Sequence, residues 1–303
     1  MSSTILVSGA TGFVGSALAA SLSESGHRVV ALRRAPPGTG AGPTWDPAGG
    51  QVYLDSATPF DAVVHLAGEN IAQRWTRATR ERIRSSRVDA TRLLCEALSH
   101  SPRPPRVLVC ASATGFYGDR GDEILDEQSG PGTGFLPEVC QAWEAAAEPA
   151  RRCGIRVVHL RLGLVLARHG GALAGMLPAF RLGLGARLGG GRQYWSWIAL
   201  DDLVRVVELA LRDDGLRGAV NTVAPEPTTN AGFTEALARA LRRPVFLSVP
   251  AFAVVALFAG MGREALLASA RVQPGRLLAM GFKHRFPNLD AAFNHILAAN
   301  NRD

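Results

Sequence analysis

The segment Gly9–Gly15, which reads GATGFVG, constrains the fold of this 303-residue chain more than any other feature. It directly follows the apolar run Thr4–Ser8 and precedes a helical pattern with Leu18 and Leu22 on one face. Its three glycines permit a tight turn, a close approach of backbone to phosphate and a close packing of helix on strand. The segment therefore predicts an N-terminal Rossmann-type domain, with a dinucleotide at the start of the helix.

The rest of the first half alternates β-rich apolar runs with helical patterns. Strands are predicted at Thr4–Ser8, Arg28–Leu32, Asp61–Leu66, Arg106–Cys110 and Ile155–Leu160. Helices are predicted at 13–26, 76–99, 135–152, 201–211 and 232–241, and again near the C-terminus. Buried strands separated by helices are typical of an α/β fold with a doubly wound parallel sheet, to which we expect a smaller, partly helical substrate lobe to be added.

The domain boundaries follow from where this alternation ends. Residues 1–165 are predicted to form the Rossmann domain, with its sheet completed by parts of 190–225; residues 166–244 supply substrate-region segments, and 245–303 form a small C-terminal domain. The run 244–262 carries no charge, and Pro250 divides it into a predicted buried strand at 245–249 and an apolar helix at 251–261. We interpret this run as part of the fold and expect no membrane span.

Charge and cysteine usage argue against several function classes. The 33 basic and 26 acidic residues give a net charge of +7. The basic residues include a single lysine, Lys283, and form no block of five or six, so nucleic-acid binding is not expected. The four cysteines form no CxxC pair, so we expect no metal site and a reducing compartment. With no export signal before the first strand, we expect a cytoplasmic monomer or homodimer that acts on a small-molecule substrate.

The end of the second strand predicts which dinucleotide binds. NAD sites usually place Asp or Glu here to hold the ribose 2′-hydroxyl, but residues 29–34 contain no acid and end in Arg33 and Arg34. A pair of guanidinium groups fits a 2′-phosphate, so NADP is predicted over NAD, although surface arginines are also expected in an arginine-rich chain. The glycine segment is predicted to supply the other cofactor contacts, namely Gly9, Thr11, Gly12, Phe13, Val14 and Gly15.

Several segments resemble the extended short-chain dehydrogenase/reductases, which include nucleotide-sugar epimerases and dehydratases. They are GATGFVG, VVHLAG at 63–68, SATGFYG at 112–118 and YWSWIALDDLV at 194–204. The resemblance implies that Leu66, Ala67 and Gly68 support the cofactor. A narrower similarity, carried by LAGENIAQRWT at 66–76, SRVDATRLL at 86–94 and VCQAWE at 139–144, is to an atypical epimerase-like subgroup with a short C-terminal domain of unknown function.

The same resemblance shows that a catalytic pair is missing. Active members of the superfamily transfer protons through a Tyr four residues before a Lys, and no tyrosine of this chain has a lysine at that spacing. Ser112, or Thr114 if the loop is shifted, is expected to bond a substrate oxygen, or else its own backbone. Tyr117, in a loop expected to face the nicotinamide pocket, is the first choice for proton transfer, and Glu144 is the second. The structural interpretation of Tyr117 is a loop tyrosine that packs against the sheet. The structural interpretation of Glu144 is a solvated carboxylate on a helix.

The motifs together predict an NADP-binding, epimerase-like or oxidoreductase-like protein with a small polar or carbonyl substrate. The alternative is a catalytically silent NADP-binding protein that senses redox state or regulates a partner, and the missing Tyr/Lys pair favours it. The loop Glu69–Trp75 either lines the substrate pocket, where Trp75 would stack on a ligand, or packs against the fold.

Overall fold

The structure is a computed structural model that describes residues 2–36, 39, 42–54 and 59–298, so the last five residues of the predicted C-terminal domain lie outside it. Its strands are β1 (Thr4–Ser8), β2 (Arg28–Arg34), β3 (Thr44–Asp46), β4 (Gln51–Tyr53), β5 (Ala62–His65), β6 (Val107–Ala113), β7 (Ile124–Leu125), β8 (Arg156–Leu162), β9 (Leu164–Leu166), β10 (Ala186–Leu188), β11 (Tyr194–Trp195), β12 (Trp197–Ala199), β13 (Gly218–Thr222), β14 (Thr228–Thr229), β15 (Leu247–Val249) and β16 (Arg271–Val272). Its helices are α1 (Phe13–Glu24), α2 (Arg77–Ser85), α3 (Val88–Ser99), α4 (Phe135–Ala145), α5 (Glu148–Arg152), α6 (Gly171–Arg181), α7 (Leu200–Arg212), α8 (Asn230–Ala240), α9 (Ala251–Phe258), α10 (Gly275–Ala279) and α11 (Leu289–Ala298). A 3₁₀ turn spans Thr114–Tyr117, and a π-helical turn spans Gly262–Leu266.

The main sheet has the order β13-β8-β6-β5-β1-β2-β3-β4. Its strands pair in parallel from β13 to β3, and β4 is antiparallel to β3 at one edge. From β1 the chain builds the sheet first toward β2 and then, on the opposite side, toward β5. The order therefore reverses beside β1, and ligands bind at such a point in parallel sheets. The predicted Rossmann-type α/β fold is confirmed.

Both faces of the sheet are covered by helices, and this explains why its strands are almost continuously apolar. Successive residues of β1 point to opposite faces: Ile5 and Val7 pack with α1 and α7, whereas Leu6 packs with α3 and α5. Each face thus has its own core, and the loops at the carboxyl ends of the strands are left to build a site.

Two of the predicted helices, 76–99 and 135–152, are not continuous, and both predictions are wrong in that respect. The first breaks between α2 and α3, where Arg87 Nη2 donates to the Glu69 carbonyl oxygen (3.0 Å) and the Ser86 hydroxyl accepts from the Glu69 amide (3.0 Å). The second breaks before α5, where Pro149 has no amide proton to continue the helix of α4. Contacts with the loop after β5 therefore decide where α2 ends.

The uncharged run near the C-terminus forms the two predicted elements, but it is much more exposed than predicted. Strand β15 begins at Leu247 rather than at the predicted position 245 and pairs with β10 in a two-stranded sheet; Leu247 is 46% exposed and the neighbouring Phe246 is 82% exposed. Helix α9 ends at Phe258, before the predicted position 261, and only Val254 of this helix is buried. Across residues 2–36, 39, 42–54 and 59–298, none of the helices has both the length and the apolar character that crossing a membrane requires.

Candidate active site

The glycine segment forms a tight turn between β1 and α1 that only glycine can build. Gly9 has a φ of +72°, and a Cβ there would lie 3.0 Å from the Ala67 amide nitrogen. A Cβ on Gly15 would overlap the Gly9 carbonyl oxygen. The turn is therefore pressed against the loop that follows β5, and Gly15 lets the first turn of α1 cross it.

This turn leaves the start of α1 suited to an anion. Gly12 precedes the helix in an extended conformation, with no side chain to cap the first amide groups, and the first turn contains no acidic residue. Amide protons at a helix N-terminus, together with the positive end of the helix dipole, bind phosphate groups. The backbone here fits the diphosphate of a dinucleotide.

The other predicted cofactor residues lie along the same edge of the sheet. Leu66 and Ala67 are half-buried beside Gly9. Phe13 packs its ring against the glycines that begin α6, where a Cβ would overlap the ring. The remaining predicted contacts are exposed at this edge: Thr11, Gly68, Arg33 and Arg34, while Val14 is half-buried. The structure thus brings the segments after β1, β2 and β5 together.

A polar cluster lies at the carboxyl ends of the adjacent strands β6 and β8. Ser112 and Arg161 are direct partners across these parallel strands, and Glu144 reaches them from α4. The Ser112 hydroxyl donates to Glu144 Oε1 at 2.8 Å. Arg161 donates from Nε to Oε1 and from Nη2 to Oε2 of the same carboxylate, both at 2.9 Å. The Glu144 carboxylate thus accepts one hydrogen bond from the serine hydroxyl and a bidentate pair of hydrogen bonds from the guanidinium group of Arg161.

Electrostatics keeps this carboxylate ionised. Burial raises the pKa of Glu144, but the hydrogen bonds and the charge of Arg161 outweigh burial, so the pKa lies below its ordinary value. Ser112 is almost fully buried, and Glu144 and Arg161 side chains are 14% and 6% exposed. Glu144 is therefore not the solvated helix carboxylate of the structural interpretation. Ser112 donates its hydrogen bond to a side chain rather than to its own backbone.

The expectation that Tyr117 faces an open pocket is wrong. Its side chain is fully buried at the end of the 3₁₀ turn after β6. The hydroxyl lies 2.7 Å from Asn221 Oδ1 and 2.8 Å from the Asp126 carbonyl oxygen, and it accepts from Arg161 Nη1 at 3.0 Å. Burial raises the pKa of Tyr117, so the phenol stays protonated. These partners satisfy the hydroxyl inside the protein, and Tyr117 helps to hold Arg161.

Arg161 is the site residue that the sequence analysis missed. It belongs to β8, which reads RVVHLRL, and is the second arginine of this largely apolar strand, close to its carboxyl end. A charged side chain in a strand that is buried on both faces needs a partner of opposite charge. That requirement could have indicated from the sequence that Arg161 belongs to a polar cluster. The partner itself lies 17 residues away on α4.

The C-terminal part of the chain fixes the start of α4. Gly134 precedes this helix with a φ of +116°, and the amide of Leu136 donates to Glu264 Oε2 at 2.9 Å. A carboxylate at a helix N-terminus satisfies free amide groups and complements the helix dipole. Glu264 therefore holds the first turn of the helix that carries Glu144.

Comparison with known proteins shows that the glycine turn and the Ser112 cluster both lie in a segment matched by one family model. The sequence model of the NAD dependent epimerase/dehydratase family matches residues 5–222, which include the glycine turn, Ser112, Glu144 and Arg161. The chain belongs to this family. A second model, of a domain of unknown function, matches residues 249–296. The family membership inferred from the sequence motifs is confirmed.

The relatives span nearly the whole chain. An epimerase family protein of Mycobacterium bovis is 41% identical over 292 residues, 96% of each chain, and the human epimerase family protein SDR39U1 is 38% identical over 301 residues, 97% of this chain and 99% of the human one. The crystal structure of human SDR39U1 (isoform 2) with NADPH has a TM-score of 0.85 and 35% identity, and covers 98% of this chain and 99% of that one. UDP-glucose 4-epimerase of Thermotoga maritima, at 18% identity and a TM-score of 0.75 over 98% of this chain and 99% of that one, shares the fold.

Proposed function

We propose that this chain is an NADP-dependent epimerase or oxidoreductase that acts on a small polar or carbonyl substrate. The cluster of Ser112, Glu144 and Arg161, at the same sheet edge as the glycine turn, carries the proposal. Membership of the epimerase/dehydratase family and the similarity to human SDR39U1, solved with NADPH, support it. A bound nicotinamide dinucleotide would supply hydride transfer.

Each residue of the cluster has a separate task in this proposal. The Ser112 hydroxyl donates a hydrogen bond to Glu144. The lone pairs of Ser112 Oγ are therefore available to accept a hydrogen bond from a substrate hydroxyl. As that hydroxyl becomes a carbonyl, Glu144 takes up the proton through Ser112 Oγ, and the reverse reaction returns it. Arg161 positions the carboxylate and keeps it ionised. Because its pKa is lowered, Glu144 is a weak base, which favours a substrate that needs little proton assistance.

The residues at the glycine turn would hold the dinucleotide. The amide groups at the start of α1 would bind the diphosphate, and Leu66, Ala67 and Gly68 would support the bound cofactor from the neighbouring loop. Arg33 and Arg34, exposed at the end of β2, would bind the 2′-phosphate that distinguishes NADP from NAD.

A larger side chain at Gly12 is expected to weaken dinucleotide binding. A Cβ there already lies 3.2 Å from the Gly9 carbonyl oxygen, and the rest of a valine side chain would occupy the space of the diphosphate. Gly12→Val should lower NADPH affinity more than tenfold, about 1.4 kcal/mol, in calorimetric titration. Gly130→Val is the control, because a Cβ on Gly130 contacts nothing within 4 Å. Equal affinities of the folded Gly12 variant and the parent chain would place the site elsewhere.

Cofactor preference is expected to depend on the two arginines at the end of β2. The parent chain should bind NADPH more tightly than NADH. Replacing Arg33 and Arg34 together by Gln should lower the ratio of the Kd for NADH to the Kd for NADPH by about tenfold or more, since hydrogen bonds to charged groups contribute about 1.5–3 kcal/mol. Arg28→Gln is the matched control, at the opposite end of the same strand. NADH binding as tight as NADPH binding to the parent chain would contradict the assignment.

The alternative proposal, a silent NADP-binding sensor, is favoured by one observation: no tyrosine has a lysine four residues later. Incubation of the pure protein and NADPH with a panel of aldehydes, ketones and quinones separates an oxidoreductase from a sensor, whereas an epimerase would regenerate its cofactor and is detected by inversion of a substrate hydroxyl group. An oxidoreductase consumes NADPH with at least one of these compounds at a rate that Ser112→Ala lowers. A sensor binds NADPH and consumes none above the rate without protein.

A further inference from the structure

A cleft of about 350 Å³ lies outside the cluster just described. It is bounded by the end of the loop after β5, by α2 and by the start of α4, and its lining consists of Trp75, Arg77, Arg80, Glu81, Arg84 and Phe135. We infer that this cleft binds a phosphate or carboxylate group of a small organic anion, which is the substrate if the proposed function is correct. The inference rests on the charge, the stacking and the position of its lining residues.

The cleft has an excess of positive charge. Arg77, Arg80 and Arg84 recur at helical spacing on one face of α2, and Glu81 is the one carboxylate in the lining. In the described part of the chain, no carboxylate lies within 4.0 Å of these three guanidinium groups, whereas Arg82, elsewhere on the helix, reaches Glu69 at 3.9 Å. Three cations against one anion make the cleft attractive to a negatively charged ligand.

Aromatic rings restrict the central guanidinium. Arg80 lies 5.2 Å from the ring centre of Phe135 and 6.0 Å from that of Trp75, and the two rings meet edge to face at 5.2 Å. Trp75 is itself fixed, because its indole nitrogen donates to the Ile71 carbonyl oxygen at 2.9 Å. A guanidinium stacked on rings keeps its N–H groups free for an anion and loses less side-chain freedom when it binds one.

The position of the cleft relates it to the Ser112 cluster. Phe135 begins α4 and Glu144 lies near its end, nine residues on, so the two are about 13.5 Å apart along the axis at about 1.5 Å per residue. A substrate of about this length, with its anionic group beside Arg80, would reach Ser112 with a hydroxyl or carbonyl group. This geometry selects a substrate whose charge is distant from the reacting carbon.

The test is the binding of simple anions to charge-removal variants. Phenyl phosphate, benzoate and neutral benzyl alcohol are titrated by calorimetry into the parent chain, the double variant Arg80→Gln/Arg84→Gln and the control Arg82→Gln. We expect the parent and the control to bind one or both anions, the double variant to bind them at least tenfold more weakly, and added salt to weaken binding. Tighter binding of phenyl phosphate assigns a phosphate to the cleft, and tighter binding of benzoate assigns a carboxylate.

Titration with NADPH keeps this test separate from the proposed function. The double variant should bind NADPH as the parent chain does, since neither arginine lies at the glycine turn, and this also shows that the variant is folded. Equal anion affinity in the double variant and the parent, or binding of benzyl alcohol alone, or no binding of either anion at millimolar concentration, overturns the inference. Failure of the parent chain to bind NADPH would instead refute the proposed function.

Discussion

Replacement of Glu144 by Gln is expected to lower kcat by about 10²- to 10⁴-fold, the usual contribution of a positioned acid or base. Gln keeps the shape of the side chain and its acceptor oxygen for Ser112, but it can neither take up the proton of a substrate hydroxyl nor return a proton to the carbonyl that NADPH reduces. NADPH affinity should stay within twofold of the parent value, because Glu144 does not contact the glycine turn. Steady-state turnover of NADPH with a substrate found in the panel measures the first quantity, and calorimetry measures the second.

Two further variants separate chemistry from stability. Removing the charge of Glu144 leaves Arg161 buried without a counter-charge, which costs about 3–5 kcal/mol in typical proteins. The double variant Glu144→Gln/Arg161→Met removes both charges and is expected to unfold closer to the parent midpoint while it stays inactive. Glu148→Gln, an exposed carboxylate on α5, should leave kcat unchanged. Full kcat in a folded Glu144→Gln variant would show that Glu144 does not transfer the proton.

Acidification is expected to destabilise the fold well before its carboxylates are protonated. His65 and His159 are buried in β5 and β8, and burial lowers the pKa of each from 6.5 to about 4. In the unfolded chain both histidines bind protons below pH 6.5, but in the folded chain they stay neutral until about pH 4. The unfolded state thus gains protons first, and each histidine should lower the free energy of unfolding by about 3 kcal/mol across this interval.

Urea midpoints at pH 7 and at pH 4.5 measure this loss, which is a large part of the 5–15 kcal/mol that is typical of a folded domain. His159→Gln should remove the contribution of that one histidine from the pH dependence, whereas His100→Gln, which changes an exposed side chain, should leave it intact. The stabilising contribution of Glu144 is present above its unfolded pKa and disappears only as the pH falls through its lowered folded pKa, so it acts below this window. Equal midpoints at the two pH values would contradict the prediction.

The features that could be predicted from the sequence are those whose cause is local. The turn at Gly9 and the crossing at Gly15 depend on residues within one short segment, so the spacing of the glycines reveals them. Five of the eight strands of the main sheet, namely β1, β2, β5, β6 and β8, could be located because they are largely apolar, whereas the short edge strands β3 and β4 lack such a run. A single motif therefore sufficed to predict the start of the fold and the turn at which we propose that the dinucleotide binds.

Ser112 and Glu144 could be named as candidates from the sequence, but their contact with each other and with Arg161 could not, because it depends on pairing between distant segments. Ser112 meets Arg161 through the register of β6 against β8, and no local pattern encodes that register. The Tyr117 hydroxyl is held by Asn221, which is 104 residues away, and this contact determines that the ring is buried. The break after α2 likewise arises from Arg87 and the distant loop residue Glu69.

The capping of α4 by Glu264 has a consequence for how such chains can be recombined. The helix that carries Glu144 lies in the segment matched by the epimerase model, whereas its cap lies in the segment matched by the second model. An exchange of C-terminal segments between relatives would therefore replace a contact of the helix that holds the carboxylate. A chimaera should retain a well-ordered α4 only where the incoming segment brings an acid to the position of Glu264, so the two segments are compatible as a matched pair rather than as interchangeable modules.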